Sequence, residues 1–72
     1  MPRFSVCFIN LYSVDAVNFQ TDSINNLNDQ FTSITGRSWT SFVLKEIYDL
    51  ENGTYVYAPY KQTISNNNSM VN

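Results

Sequence analysis

The 72-residue chain has no histidine, one cysteine, two glycines and four basic side chains. Each shortage closes off a class of function. Without an imidazole to take a proton from the attacking group, neither a Ser-His-Asp nor a Cys-His nucleophile can be assembled. Structural zinc sites draw on thiolates and imidazoles, which Cys7 alone cannot supply. A single cysteine also excludes an intrachain disulfide. In the apolar run Val6-Cys7-Phe8-Ile9 it is expected to act as a small buried hydrophobe. With Gly36 and Gly53 as the only glycines, there is no glycine-rich phosphate cradle. The carboxylates of Asp15, Asp22, Asp29, Glu46, Asp49 and Glu51 fall in no catalytic or metal-binding motif. Asp22 reads as a helix cap, and Asp49 and Glu51 read as a solvated hairpin tip. No enzymatic activity, cofactor, metal or small-molecule substrate is expected.

Charge and hydropathy narrow the field further. Six acidic and four basic residues give a formal charge of −2 and a pI near 4.5. A general nucleic-acid binder would carry a clustered basic surplus instead. No apolar stretch approaches the roughly 20 residues that span a bilayer. The first residues lack the basic-then-apolar pattern of a secretory signal, so a cytoplasmic location is expected. On that expectation the glycosylation-type triplets Asn52-Gly53-Thr54 and Asn67-Asn68-Ser69 read as chance matches in an Asn-rich chain.

Hydrophobic residues make up 43% of the chain and aromatics 15%, too much for a disordered polymer. One domain over residues 1–64 is predicted, followed by a disordered polar tail over 65–72. Arg3 to Tyr12 reads as a strand with apolar residues on both parities, suiting an inner strand or one that switches faces near Asn10. A turn at Ser13-Val14-Asp15-Ala16 and an extended segment Val17 to Thr21 complete a first hairpin. Asp22 or Ser23 is expected to cap a helix whose Ile24, Leu27, Phe31 and Ile34 form one stripe. Gly36 stops it, and Arg37 follows at the negative end. Trp39 to Ile64 reads as a long hairpin around Glu51-Asn52-Gly53. The expected fold is α+β, an antiparallel β-sheet with one helix packed on one face, in the order ββαββ.

The hairpin register decides which residues meet water. A two-residue loop at Asn52-Gly53 would pair Leu50 with Tyr55 and Tyr48 with Tyr57, leaving both faces mixed. A three-residue loop, Glu51-Asn52-Gly53, with Gly53 left-handed, gathers Phe42, Leu44, Tyr48, Leu50 and Val56 on one side and Trp39, Lys45, Ile47, Asp49, Tyr55, Tyr57 and Lys61 on the other. Binary patterning favours this second register. Because one helix covers one face, Trp39, Ile47, Tyr55 and Tyr57 are expected on the open face as apolar anchors, with Lys45 and Lys61 as orienting charges. Aromatics of this kind are enriched at the centres of protein interfaces. Exposed cross-strand aromatic pairs also stabilise a sheet by roughly 0.2–1 kcal/mol each with no partner at all. The expected function is non-enzymatic binding of a protein partner. Self-pairing as a homodimer and the stacking of single-stranded nucleic acid on the same aromatics are the alternatives. Two lysines in an acidic domain attract phosphate weakly, so nucleic acid is the less favoured of these.

The run Val17-Asn18-Phe19-Gln20-Thr21-Asp22-Ser23 leading into a helix, then a hairpin turning at Asn52-Gly53 and continuing Tyr55-Val56-Tyr57-Ala58-Pro59-Tyr60-Lys61, resembles the layout of small bacteriophage accessory proteins, including some anti-CRISPR proteins. The resemblance lies in the order of elements across most of the chain. It implies inhibition without catalysis, by covering a working surface of a host enzyme or nucleoprotein complex. The shortage of basic residues is unlike those members that rely on a positive surface, whereas an acidic balance suits contact with a basic, nucleic-acid-binding region of a target.

Overall fold

The computed structural model describes residues 1–61. Their order is β1 (Phe4–Asn10), β2 (Ala16–Thr21), α1 (Leu27–Thr35), a 3-10 turn (Trp39–Ser41), β3 (Phe42–Asp49) and β4 (Thr54–Tyr57). The four strands form one antiparallel sheet in the order β2-β1-β3-β4. The α+β fold with the ββαββ order of elements is therefore as expected. Ile64 and the polar stretch 65–72 lie outside the described residues.

β1 occupies an inner position, which explains its apolar residues on both parities. Phe4, Val6 and Phe8 point to the helix side, opposite Thr21, Phe19 and Val17 of β2, while Ser5, Cys7 and Ile9 point the other way. The β1–β2 connection is closed by the Asn10 N–H donating to the Asp15 carbonyl at 2.9 Å, and by the Tyr12 N–H donating to Asn10 Oδ1 at 2.7 Å.

The helix starts later than its pattern suggested. Neither Asp22 nor Ser23 caps it, because the preceding hydroxyls close local turns instead. Thr21 Oγ1 accepts from the Ser23 N–H at 3.2 Å, and Ser23 Oγ accepts from the Asn25 N–H at 3.1 Å. Asn26 then enters the helix in the left-handed conformation, φ 57°, which Asn tolerates better than most residues. Gln30 holds this entry by donating from Nε2 to the carbonyls of Ser23 and Asn25. The predicted stop is in place, with Gly36 at φ 71° and its N–H on the Thr32 carbonyl. Arg37 is bound elsewhere, pairing with Asp15 at 3.2 Å and lying over the Phe42 ring.

Of the four stripe residues, only Phe31 is fully buried; Leu27 is half-buried, and Ile24 and Ile34 are exposed. Phe31 sits between Phe8 and Phe42, with ring centroids 4.8 and 4.7 Å away. The core is Phe4, Val6, Phe8, Phe19, Phe31, Phe42 and Ile47, edged by Val17, Leu27 and Leu44.

Two bulges sort the second half of the sheet. Cys7 faces Glu46 and Phe8 faces Leu44, which leaves Lys45 as an extra residue in β3. Phe42 and Leu44 on one side of the bulge thus share the helix face with Ile47 and Asp49 on the other. In the β3–β4 hairpin, Asp49 faces Thr54, Tyr48 faces Tyr55, and Ile47 faces Tyr57, with Val56 extra. The loop has four residues, Leu50 to Gly53, rather than three. The favoured pairing is recovered only beyond the bulge, at Ile47 and Tyr57. Gly53 is left-handed as anticipated, φ 69°. The hairpin is also shorter than expected. Trp39 belongs to the 3-10 turn, and β4 ends before Pro59, where the Lys61 N–H turns back to the Ala58 carbonyl.

Candidate functional site

The bulge at Lys45 corrects the expected binding face. Ile47 is 5% exposed and belongs to the core, because one extra residue in β3 turns it toward the helix. Trp39 is 42% exposed, but it lines a surface hollow with Asn26, Leu27, Asn28 and Asp29 at the start of α1, on the helix side of the molecule. Tyr57 faces Ile47 across the β3–β4 pair and so projects to the helix side as well, at the edge of the sheet. Lys45, Tyr55 and Lys61 remain together on the helix-free side.

That side has a centre the pattern reading assigned to the core. Tyr48, paired directly with Tyr55, packs edge-to-face against it with ring centroids 4.8 Å apart. The Lys61 ammonium lies over the Tyr55 ring, 5.1 Å from its centroid, as a cation–π contact. Ile9 and Val43, paired across β1 and β3, are half-buried neighbours on the same face. Lys45 and Glu46 flank Cys7, whose burial pushes its thiol pKa up, with Lys45 opposing the rise and Glu46 adding to it. A thiol held protonated in this way is a weak nucleophile. The face therefore offers apolar and aromatic contact with charges of both signs.

The hairpin that presents Tyr55 is organised by Asp49, which is 4% exposed rather than solvated. Its Oδ1 accepts from the N–H groups of Glu51 and Asn52 at 2.9 and 3.2 Å, and its Oδ2 accepts from Asn52 Nδ2 at 2.8 Å and from Arg3 at 3.3 Å. Arg3 also reaches Glu51 at 3.4 Å, and its carbonyl accepts from the Leu50 N–H, so the chain start is tied to the tip. Burial would raise the Asp49 pKa, but Arg3, Asn52 and Glu51 together outweigh it and hold the carboxyl below its usual range. A depressed folded-state pKa contributes stability above the unfolded value, about 4, and loses it as pH falls through the folded value. Acid unfolding monitored by circular dichroism should accordingly show a shallower loss of stability in Asp49→Asn than in wild type below about pH 4. Identical acid slopes would contradict this role.

The signal for this tip was present in Asp49-Leu50-Glu51-Asn52-Gly53: a short carboxylate able to take the amides two and three residues on, with a glycine closing the loop in the left-handed region. Among the described residues, no group of three or more His, Cys, Asp and Glu side chains could hold a metal ion, and no helix is long and apolar enough to cross a membrane. Compared with known proteins, the chain matches no family model, no curated protein and no solved structure.

Proposed function

We propose that this chain is a small non-enzymatic protein that acts by binding another protein, in the manner of phage inhibitors that cover a working surface of a host protein or nucleoprotein complex. The observation that carries the reading is the helix-free sheet face, where Tyr48, Tyr55 and Lys61 form one cluster beside Lys45 and Glu46. Aromatic rings held in place by neighbours lose little entropy on binding, and flanking charges fix orientation more than they add affinity. The net charge of −2 favours a basic surface on the target.

A second reading is self-association through β4. Thr54 to Tyr57 are all exposed at the sheet edge and none is charged, whereas edge strands are commonly protected by charge. Light scattering over a concentration series separates the two. A monomeric mass throughout is the expected result. A dimer that Val56→Lys returns to monomer would replace the first reading with the second.

A further inference from the structure

We propose that Asn52 is a modification site, a position of spontaneous deamidation that Asp49 guards while the hairpin tip is closed and whose product loosens the tip. Asn52-Gly53 is the chain's one Asn-Gly step, and both residues are exposed. In the reaction the Gly53 amide nitrogen bonds to Asn52 Cγ, the Cγ–Nδ2 bond breaks, and Nδ2 leaves as ammonia carrying the proton that Gly53 gives up. Water then opens the cyclic imide at either carbonyl. One opening gives aspartate; the other gives isoaspartate, with an extra carbon in the main chain.

The closed tip obstructs every part of that step. The Gly53 N–H, which must lose its proton, donates to the Asp49 carbonyl at 2.8 Å. The leaving group is held as well, since Asn52 Nδ2 donates to Asp49 Oδ2 at 2.8 Å, and the Asn52 main-chain N–H, which takes no part in the reaction, ties the residue to Asp49 Oδ1 at 3.2 Å. The carboxamide is thereby turned toward Asp49, and attack requires release of the Gly53 N–H and of Asn52 Nδ2. Reaction runs only through the fraction of molecules whose tip is open.

The product reverses the contact. A carboxylate at position 52 loses the two Nδ2 donors and sets a negative charge against the buried Asp49 carboxylate, with Glu51 next in the chain and Arg3 as the nearby cation. Like charges at such spacing repel, and the acceptor that organised the loop loses a partner. Isoaspartate also changes the loop length on which the Asp49–Thr54 and Tyr48–Tyr55 pairing depends. Asn52 is in this sense a timer on the hairpin that carries Tyr55.

The test is peptide mapping by mass spectrometry of the full chain held at neutral pH, folded and in urea. Conversion at Asn52 should be at least about tenfold slower in the folded protein, as local opening requires. Asp49→Asn, shown by circular dichroism to be folded, should convert several-fold faster than wild type. Equal rates folded and in urea would overturn the guarding role, and that comparison needs no variant. For the product, hydrogen exchange of the Gly53 amide should accelerate at least about tenfold in Asn52→Asp. Unchanged protection would overturn the release of the tip.

Discussion

Replacing Phe31 by alanine is expected to leave little folded protein. Phe31 is the one helix side chain with no solvent exposure, and it fills the space between Phe8 and Phe42. Truncating a buried phenylalanine costs about 3–5 kcal/mol through lost transfer energy and the cavity left behind. A domain of this size holds only about 3–5 kcal/mol in total, so the two quantities are equal within their spread. The nine-residue helix has no independent stability to fall back on, with Ile24 and Ile34 exposed and only Leu27 to assist. Circular dichroism on heating checks this. Loss of the cooperative transition is expected, and a transition within a few degrees of wild type would contradict the placement of the helix.

The second large effect separates two positions on neighbouring strands. Ile47→Ala should destabilise the fold by about 2–5 kcal/mol, the range for truncating a buried isoleucine. Tyr55→Ala should cost no more than about 1 kcal/mol, the scale of an exposed cross-strand aromatic pair. Ile47 is 5% exposed and Tyr55 46% exposed: the bulge at Lys45 turns Ile47 toward the helix, and the direct pairing of Tyr55 with Tyr48 puts Tyr55 on the other side of the sheet. Urea titrations of both variants measure the contrast. Comparable losses, or a larger loss at Tyr55, would contradict the placement of these two side chains on opposite sides of the sheet.

Those two residues also show where reading the sequence succeeded and where it stopped. The first hairpin, the stop at Gly36 and the inner position of β1 rest on local signals: alternation in Val17 and Phe19, a glycine free to be left-handed, apolar residues on both parities. Bulges have no such signal. The extra residue at Lys45 is defined by its partner strand, where Cys7 faces Glu46 and Phe8 faces Leu44, a relation between segments almost forty residues apart. One unrecognised residue exchanges the faces of the rest of β3, and the changed hairpin pairing of Tyr48 with Tyr55 is what keeps Tyr55 on the helix-free side. Ile47 thus moved from the expected binding face to the core, while Tyr48 moved from the expected core to the open face.

Trp39 was misplaced for a different reason. Extending β3 back to residue 39 assumed alternation, but Ser38 accepts from the Thr40 N–H and starts a 3-10 turn, which swings the indole toward the helix entry. Lys45, Tyr55 and Lys61 kept their side of the sheet. Lys45 did so because both bulge residues face Cys7, and Lys61 because the turn after Ala58 folds it over the Tyr55 ring.

The most direct test of the proposal that the helix-free face binds a protein is affinity capture from cell extract with three folded baits read side by side: wild type, Tyr55→Ala and Trp39→Ala. The account predicts a partner retained by wild type and Trp39→Ala and lost from Tyr55→Ala. A partner that survives Tyr55→Ala but is lost from Trp39→Ala would place binding on the helix side and contradict it.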